Sequence, residues 1–415
     1  MPDPASDMPT VCLNMIVKNE ARVIERCLVS LRPAIDTWVI VDTGSTDGTP
    51  ELIRRCLDGI PGELHERPWV NFGHNRTEAI RLAEGKADYL LLCDADMTLQ
   101  VLDPGWKRSL VADSYLVRQE AGALSYFNVR LVNARLTGDR RWRYWGSTHE
   151  YLGAVLPSAT VTHATTHGIA FDDLADGGSR LDKFERDARL LQGDLDAIDQ
   201  LERRAAAAPS DAAVASELAD HRLLQRRSVF YLAQTWRDMG ALEKSLESYQ
   251  RRAGMGGWAE EAWYSLYEAA RLSERLQLPA ETITHRYLAA YEYRPQRAEP
   301  LVQLARFHRE RNQFALAHLF ALRAINVCRP DDTLFLDTAT YEWRAMDEFA
   351  VASYWMGQYR ESARACEWLL DKGALPFDQL ARVTENLNLA LAAHRKDGRA
   401  SDPLNSPTTL SRTRS

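Results

Sequence analysis

Several features of common functional classes are absent from this sequence. Its 415 residues contain no run of about 18 uncharged apolar residues, so we expect no membrane span. The six cysteines form no CxxC pair, and Cys12 and Cys93 lie in apolar runs, where reduced cysteine acts as a small hydrophobic residue. Residues 1–10 carry no basic residue and no apolar stretch, so we expect no signal peptide and a cytoplasmic location.

The charge and the glycine pattern exclude three further classes. A formal net charge of −7 argues against a nucleic-acid-binding protein, which needs clustered lysine and arginine. The turn at residues 42–48 (DTGSTDG) contains neither GxGxxG nor GK[ST], which argues against a dinucleotide fold and a P-loop. With 45% hydrophobic and 26% charged residues, the chain is typical of a folded protein, and its length predicts two to three domains.

Up to about residue 157, short apolar runs alternate with segments of helical period. Buried strands and helices alternate in the prediction, at Val11–Val17, 22–31, 38–42, 50–57, Phe72–Ala83 and 89–93. Thr49 is the expected N-cap of the second helix and Pro50 its first residue. This alternation is typical of a parallel sheet covered on both faces. Two further strands, 114–119 and 127–132, follow without a crossover helix, which predicts a mixed edge.

From residue 181 onward the strand pattern ends and a helical period continues. Trp263 follows Val229 by 34 residues, the period of a tetratricopeptide repeat. Turns are predicted at Gly240, Asn312 and Gly357, whose spacings of 72 and 45 residues make the second repeat irregular. Stacked helix pairs offer a concave surface for a ligand. The alternative is a helical appendage that only stabilises the first domain.

These changes in pattern divide the chain into four segments. We predict a flexible N-terminus at 1–9, an α/β domain at 10–180, a helical repeat domain at 181–395 and a disordered tail at 396–415. The tail is assigned from its polar composition, rich in proline, serine, threonine and arginine.

Acidic side chains follow three of the predicted strands. Glu20, Asp42 and the pair Asp94 and Asp96 come at the carboxyl ends of successive strands, where ligands of open α/β sheets bind. An acid-x-acid pair is common by chance, so the motif alone is weak evidence for a binding site. Its position directly after a buried strand is what supports a functional role for Asp94 and Asp96. Residues i and i+2 of a strand share a face, so this pair can hold one Mg²⁺ or Mn²⁺, or divide between a cation and a ribose. A sugar nucleotide whose phosphates are held by metal fits this pattern better than NAD or ATP.

Residues 140–150 combine aromatic, basic and acidic side chains. Trp142, Tyr144 and Trp145 have flat faces that suit sugar stacking, and the interleaved arginines 140, 141 and 143 suit phosphates. A β-hairpin with solvated charges is the alternative. His149 and Glu150 are adjacent, so both can face one substrate only if the segment is a loop. An inverting transfer needs one such carboxylate to take the acceptor's proton.

Two other groups are candidates for the site of the donor's diphosphate, one as a metal ligand and one as a set of basic side chains. His167 is a possible metal ligand because a neutral imidazole binds metal, or else a structural residue of an ordered loop. Lys183 and Arg186 at the start of a helix are placed to hold a diphosphate. The Gly177–Gly178 pair before them is typical of a lid hinge.

Four ordered segments resemble a known family. LNMIVKNEARVIERCLVSL, VIVDTGSTDGTPELI, NFGHNRTEAI and LLLCDADMTL are similar to family 2 glycosyltransferases of the GT-A fold. The bacterial members with a tetratricopeptide extension, including those that glycosylate peptide cysteines, resemble this chain in layout as well. The match covers about residues 10–186 of the α/β half.

The resemblance implies a fold and a set of roles. It implies an α/β GT-A nucleotide-sugar-binding domain, with a mixed, mainly parallel sheet, followed by an all-α tetratricopeptide-like domain. Its implied binding residues share the carboxyl edge of the sheet: Glu20 and Asp42 for base and ribose, Asn75 and Arg76 beside the nucleotide-sugar, Asp94 for ribose, Asp96 for Mg²⁺ or Mn²⁺. The family's base is usually an aspartate; here Glu150, within a His-Glu pair of the kind found in related sequences, is the candidate.

The function implied is the inverting, metal-dependent transfer of a hexose from a nucleotide-diphosphate donor. A UDP-sugar is the expected donor and a peptide, protein or glycan the expected acceptor, held partly by the helical repeats. The alternative is a catalytically inactive helical-repeat adaptor that only binds nucleotide-sugar.

Overall fold

The computed structural model describes residues 8–122, 124–157, 159–177, 183–372 and 374–396. The chain divides into two compact units, residues 1–239 and 240–415. The predicted boundary at 180/181 and nearly all of the predicted tail lie outside the described residues. Both therefore stay predictions.

The first unit contains all the strands that the described residues form. They are β1 (Val11–Val17), β2 (Thr37–Asp42), β3 (Gly62–Glu66), β4 (Tyr89–Leu92), β5 (Met97–Val101), β6 (Ser114–Ala121), β7 (Leu124–Asn133), β8 (Trp142–Trp145), β9 (Tyr151–Ala154) and β10 (His163–Asp173). Its helices are α1 (Ile24–Leu31), α2 (Thr49–Cys56), α3 (Phe72–Ala83), α4 (Lys183–Ala207) and α5 (Ala212–Asp238).

Eight of these strands form one sheet in the order β3-β2-β1-β4-β7-β6-β10-β5, and β8 pairs with β9 separately. Strands β1 to β4 are parallel where they pair, whereas β7 is antiparallel to both β4 and β6. The predicted mixed, mainly parallel sheet is confirmed. The predicted strands 114–119 and 127–132 lie inside the sheet as β6 and β7, however, and β5 forms the edge beyond them. The chain order reverses between β1 and β4, so a ligand site is expected at their carboxyl ends.

The alternation of β1 explains how the sheet is covered on both faces. Leu13 and Met15 belong to one apolar core, which includes α1 and α2, whereas Cys12 belongs to the core formed with Ile80 of α3. Burial raises the pKa of the Cys12 thiol to about 12, as expected of a small hydrophobic residue rather than a nucleophile. Asn14 on the same face donates its amide to the Ala79 carbonyl at 2.8 Å, which ties α3 to the sheet.

The start of α2 corrects the sequence prediction. The helix begins at Thr49, and its N-cap is Gly48, whose φ of 86° lies in the left-handed region. Thr49 is therefore the first helical residue instead of the cap, and its hydroxyl donates to Asp47 at 2.6 Å. The sequence prediction chose Thr49 as the N-cap because threonine is preferred over glycine at that position, where its side chain can accept a backbone hydrogen bond.

The second unit is helical throughout its described part. Its helices are α6 (Leu242–Gly254), α7 (Ala259–Arg275), α8 (Ala280–Tyr293), α9 (Glu299–Arg309), α10 (Phe314–Ile325), α11 (Ala345–Trp355), α12 (Tyr359–Asp371) and α13 (Phe377–Lys396). No helix among the described residues has the length and apolar character needed to cross a bilayer.

The predicted turns all have left-handed backbones. φ is 80° at Gly240, 58° at Asn312 and 74° at Gly357. A fourth such residue, Gln277 with φ of 54°, lies between α7 and α8. The long spacing from Gly240 to Asn312 therefore contains an additional helix pair, and the prediction of an irregular second repeat is wrong. The longer interval comes later, where residues 326–337 connect α10 to the next helical segment.

Candidate active site

A cleft of about 640 Å³ opens at the carboxyl ends of β2 and β3. Asp42 lines it, together with Gly44, Ser45, Thr46, Gly48, Pro50, Glu51, Arg54, Glu66, Arg67 and Pro68. The Asp42 carboxylate accepts hydrogen bonds from the Ser45 hydroxyl at 2.6 Å and from the Ser45 amide. Asp42 thus holds the glycine-rich turn in shape while it borders a cleft of ligand-binding size.

The first acid of the acidic pair is fully engaged by two arginines. Asp94 accepts from Arg76 Nη2 at 2.5 Å and from Arg130 Nη1 at 3.0 Å. Burial alone would raise the pKa of Asp94, but the two guanidinium groups together hold it well below the usual range. Asp94 is therefore ionised at all ordinary pH values, and both of its oxygens are occupied.

The second acid of the pair lies in the opposite environment. Burial raises the pKa of Asp96, and the negative charges of Asp94 and Asp173 raise it further. One Asp96 oxygen accepts from the Gly177 amide at 3.2 Å. Among the described residues, no lysine or arginine lies within ion-pair distance of this carboxylate. Arg26 attracts Asp96 only from beyond ion-pair distance, so the described residues leave an anionic Asp96 without a paired cation.

Glu20 approaches the same point from the end of β1. A Cβ added to Gly177 would lie 3.1 Å from an Asp96 oxygen and 3.3 Å from a Glu20 oxygen. Glu20 and Asp96 are thus brought together beneath Gly177. The segment that carries Gly177 is fixed to α1 by a two-point ion pair between Arg26 and Asp176. In one of the two contacts, Arg26 Nη1 donates to Asp176 Oδ2 at 2.9 Å.

Arg76 also joins the acidic pair to Glu150. Its Nε lies 2.9 Å from Glu150 Oε1, in an ion pair without an aligned hydrogen bond. The Arg76 side chain is 16% exposed and that of Glu150 14%, so the contact is largely shielded from water. The pKa of Arg76, which burial would lower, is raised because Asp94 and Glu150 flank it. One guanidinium therefore connects two of the predicted site residues.

A close backbone approach shapes the loop that carries Glu150. The amide of Phe72 at the start of α3 donates to the Ser147 carbonyl at 3.0 Å. At Gly73 an added Cβ would lie 2.0 Å from the Gly146 carbonyl oxygen, so only glycine allows this contact. The loop at residues 146–150 is thus pressed against the helix that carries Arg76.

His149 turns away from Glu150 because its backbone is left-handed, with φ of 48°. Its ring stacks on Tyr231 of α5, with ring centres 4.2 Å apart and planes 7° from parallel. Burial lowers the pKa of His149, although Asp187 of α4 opposes this effect. The two adjacent side chains therefore do not face one substrate, although the segment is a loop: His149 faces α4 and α5, and Glu150 faces Arg76 of α3.

The structure does not give Asn75 the donor-binding position expected for it. Its side chain is fully buried. Its amide oxygen accepts from the Val70 amide at 2.9 Å, and its nitrogen donates to the Pro68 carbonyl at 3.0 Å. Asn75 has no surface on the cleft, so the expectation is corrected: it holds the backbone next to Arg67 and Pro68, which do line the cleft.

His167 is not brought to Asp96 either. It is exposed on β10, and its ring contacts Phe127 edge-on at 6.1 Å between ring centres. The register of β10 on β5 pairs Asp173 with Met97 and Ile169 with Val101, so His167 lies beyond the end of β5 that is far from Asp96. The prediction that His167 and Asp96 bind one metal ion does not fit this register.

The aromatic and basic side chains of residues 140–145 also have structural roles. Trp142 and Trp145 are buried, and their indole N–H groups donate to the carbonyls of Asn133 and Ala154, so neither ring is open to a sugar. The arginines each pair with an acid: Arg140 with Asp113, Arg141 with Glu84, Arg143 with Asp220. The alternative of a β-hairpin is what the structure contains, although its arginines are paired with acids and not simply solvated.

Sequence reasoning missed Arg130, the second partner of Asp94. It lies on β7 where the register with β6 shifts, so it is the extra residue of a β-bulge, which turns its side chain toward Asp94. Arg130 is 8% exposed and also donates to Gln119 at 3.0 Å. An arginine within the apolar run 129–132 was the available signal, because an arginine is rarely buried without a partner.

The residues fit a divalent cation, although no group of three metal-ligating side chains occurs among the described residues. Asp96 supplies a hard carboxylate in an electronegative setting, and Mg²⁺ commonly uses one or two carboxylates with substrate phosphates. Asp94 is not available because two arginines occupy it. The fold and site are thus those expected of an α/β nucleotide-binding domain, with Asp96 suited to a metal and with Asp94 and Glu150 on either side of Arg76.

Comparison with known proteins assigns the class. Residues 12–113 match the profile of glycosyl transferase family 2. A TPR repeat-containing protein of Synechococcus elongatus is 28% identical over 338 residues, 77% of this chain and 75% of that protein. The SPbeta prophage-derived glycosyltransferase SunS of Bacillus subtilis is 30% identical over 92 residues, 22% of this chain and 21% of SunS.

Solved structures show weaker likenesses. Staphylococcus aureus TarS is 14% identical with a TM-score of 0.33, covering 63% of this chain and 54% of TarS. A tetratricopeptide repeat protein from Parabacteroides merdae is 17% identical with a TM-score of 0.31, covering 53% of this chain and 80% of that one.

The chain thus contains a family 2 glycosyltransferase domain that includes residues 12–113, and a tetratricopeptide-like helical domain follows it. The resemblance found in the four sequence segments is thereby confirmed, including a distant similarity to SunS. The match of residues 12–113 supports glycosyltransferase activity, and membership of this family implies a nucleotide-sugar donor.

Proposed function

We propose that this protein is an inverting, metal-assisted glycosyltransferase that moves a hexose from a UDP-sugar to a peptide, protein or glycan acceptor. The observation that carries the proposal is the position of Arg76 between two acids. It lies 2.5 Å from Asp94 and 2.9 Å from Glu150. The acid at the end of β4 and the candidate base therefore lie on either side of one charged group.

In this proposal Glu150 is the general base. The acceptor's oxygen or sulfur forms a bond to the anomeric carbon as the bond from that carbon to the diphosphate breaks. The acceptor's proton passes to the Glu150 carboxylate, and the electron pair leaves with the diphosphate. Attack opposite the leaving group inverts the anomeric configuration. A positioned base of this kind contributes a factor of about 10²–10⁴ in rate.

Asp96 is the residue that would hold Mg²⁺ or Mn²⁺. Such an ion supplies positive charge for the diphosphate as negative charge develops on it. The support is electrostatic: burial is the main cause that raises the pKa of Asp96, and the negative charges of Asp94 and Asp173 raise it further. Asp94 keeps the role of orienting Arg76, while Asp42 borders the cleft proposed for the nucleoside.

Lys183 and Arg186 begin α4 and remain candidates for holding the diphosphate. Lys183 lies near the Phe184 ring, and the Arg186 guanidinium lies 4.9 Å from the centre of the Phe72 ring. The hinge proposed at Gly177–Gly178 lies only partly within the described residues, because Gly178 is outside them.

The helical unit is proposed to hold part of the acceptor. Helix pairs stacked in this way provide extended surfaces for peptides and proteins. On α10, Leu316, Leu319 and Leu322 are 41%, 57% and 41% exposed, and their spacing places them along one side of the helix. An exposed apolar row of this kind suits a peptide or protein acceptor better than a free sugar.

The adaptor that only binds nucleotide-sugar is the competing function. Binding alone requires the cleft and Asp42 but gives no role to a shielded glutamate beside the arginine that holds Asp94. The largely buried Glu150, and Asp96 with no ion-pair partner among the described residues, therefore favour transfer over binding alone.

The test is a donor screen with matched variants. The full chain is incubated with UDP-glucose, UDP-GlcNAc, and GDP- and dTDP-sugars in Mn²⁺, and nucleotide release is measured. Asp96→Asn and EDTA should both abolish release, whereas Asp172→Asn, the same change on an acid that accepts from Gln100, should not. Release that persists undiminished in EDTA would exclude the metal-assisted mechanism. Binding of a donor without any release would favour the adaptor.

A further inference from the structure

Helix α5 contacts the loop that carries Glu150 at His149. Arg227 donates from Nε at 3.0 Å and from Nη2 at 2.7 Å to the His149 carbonyl oxygen. Tyr231, one turn further along α5, stacks on the His149 ring at 4.2 Å. Backbone and side chain of His149 are therefore both held by the same helix.

The arginine and the tyrosine support each other. The Arg227 guanidinium lies 4.7 Å from the centre of the Tyr231 ring and 5.2 Å from that of Tyr151, so it lies over two aromatic faces. A planar guanidinium stacked in this way loses little further freedom when it donates to a carbonyl. Arg227 is thus itself held in place where it binds the loop.

Helix α4 holds the neighbouring residues of the same loop. Ser147 donates to Asp194 at 2.6 Å, and Thr148 donates to Asp187 at 3.1 Å. Three consecutive residues, 147 to 149, are therefore fixed by α4 and α5, and the next residue is Glu150. Since α4 and α5 belong to the same compact unit as the sheet, this arrangement is internal to that unit.

The left-handed backbone of His149 is the element that connects these contacts to the site. A non-glycine residue with positive φ costs free energy and persists only where its surroundings hold it. At His149 the stack and the doubly donated carbonyl supply that restraint. The same backbone directs Glu150 toward Arg76 of α3 and away from α4 and α5.

We propose that α5 positions the catalytic base: Arg227 and Tyr231 fix His149, and His149 sets the direction of the Glu150 carboxylate. Arg227 and Tyr231 are positioning residues, since neither contacts the acidic pair. This proposal rests on the assignment of Glu150 as base. It predicts that damage to the α5 contacts slows the transfer step and leaves donor binding unchanged, because the donor cleft lies at β2 and β3.

The test compares variants on α5 by kcat, donor KM and donor Kd. Tyr231→Leu removes the stack and Arg227→Met removes the two donated bonds; each should lower kcat by about 10²-fold, the usual effect of misplacing a catalytic group by about 1 Å. Donor KM and Kd should stay within about twofold. Tyr231→Phe keeps the stacked ring and should restore the wild-type rate. Arg222→Met is the matched control, since Arg222 is an exposed arginine of α5 paired with Glu202.

A second variant and a double-mutant cycle separate positioning from general damage. His149→Gly permits the left-handed backbone but removes the ring, so it should slow transfer as Tyr231→Leu does, whether or not the latter folds well. In a Glu150→Gln background, Tyr231→Leu should cause no further loss, because the base that it positions is already gone. Losses that multiply in the double variant, or a wild-type kcat in both Tyr231→Leu and His149→Gly, would overturn the proposal.

The failure of this proposal differs from the failure of the proposed function. If the wild-type chain releases no nucleotide from any donor, both fail together. If the wild-type chain is active and Glu150→Gln is slow but the α5 variants are not, only the role of α5 is refuted. If the α5 variants are slow and Glu150→Gln is not, the base is a different group and the positioning of Glu150 is refuted.

Discussion

Two networks of buried charge, one in each unit, differ in whether the described residues give every charge an ion-pair partner. In the helical unit, Arg297 is fully buried between Glu299 at 2.7 Å and Asp332 at 3.1 Å, and Tyr341 donates to Glu299 at 2.7 Å. At the sheet edge, Asp94 has two arginines, but Asp96 has no ion-pair partner among the described residues, and Asp94 and Asp173 raise its pKa. The described residues thus pair every charge of the first network and leave Asp96 of the second as the acid proposed to bind a cation.

The difference separates structural charge clusters from functional ones. A buried pair that is fully satisfied contributes little beyond the cost of burying it, but removing one partner is strongly destabilising. An ionised acid among like charges raises the free energy of the folded protein, and binding of a cation next to it lowers that free energy. The helical network also fixes the connection after α10, because Arg297 donates to the carbonyls of Leu334 and Phe335.

The largest effect on stability is expected in the helical unit. Arg297→Met leaves Glu299 and Asp332 buried without their shared cation and should lower the free energy of unfolding by about 3–5 kcal/mol. Arg344→Met is the control, since Arg344 is 44% exposed in its pair with Asp337 and should cost no more than about 1 kcal/mol. Denaturant unfolding of both variants measures the difference. Equal losses in the two variants would mean that the buried network of Arg297 contributes no more to stability than the exposed pair of Arg344 and Asp337.

A smaller effect is expected where α3 meets the loop of Glu150. Gly73→Ala places a Cβ 2.0 Å from the Gly146 carbonyl oxygen, so the loop must shift, at a cost of about 1–3 kcal/mol. Because the shift moves Glu150, kcat should fall as well. Gly193→Ala in α4 meets nothing within 4 Å and should stabilise the chain by about 0.5–1 kcal/mol. A Gly73→Ala protein with wild-type stability and kcat would show that the loop does not depend on this contact.

The smallest effect is a gain in stability when Asp96 is neutralised. Its pKa is raised on folding, so ionisation above that pKa costs the folded state free energy. Without metal, Asp96→Asn should therefore raise the Tm at pH 7, and the gain should vanish as the pH falls below the unfolded value of about 4. Thermal melts in EDTA at both pH values test the sign. A lower Tm at pH 7 would mean that Asp96 is compensated after all.

The sequence predicted the parts of the fold that apolar periodicity determines. Strand β1 and helix α3 have the predicted bounds, because continuous apolar residues and a helical stripe each leave a clear pattern. Strand β3 was missed because its residues GELHE are polar and partly exposed at the edge of the sheet. The pair α7 and α8 was missed because its turn uses Gln277 in place of a glycine.

The candidate site was predicted by position and completed by tertiary contacts. Asp94, Asp96 and Glu150 were identified because they follow strands or stand in a motif. The buried amide of Asn75 could not be distinguished from one that faces a ligand, because both fit the same motif. Arg130 reaches Asp94 only through a β-bulge, a change of register that composition does not reveal. The roles of Glu20, Asp42 and Asp96 in donor and metal binding stay predictions.

The most direct test of the account is the rate of Glu150→Gln with a hydroxyl acceptor, measured beside its donor Kd. Glutamine keeps the shape of the side chain and removes the proton acceptor, so kcat should fall by about 10²–10⁴ while donor Kd stays within about twofold. Glu202→Gln, on an exposed glutamate of α4, should behave as the wild type. A thiol acceptor, already partly ionised near neutral pH, should show a smaller loss. A wild-type rate for Glu150→Gln with the hydroxyl acceptor would contradict the assignment of the base.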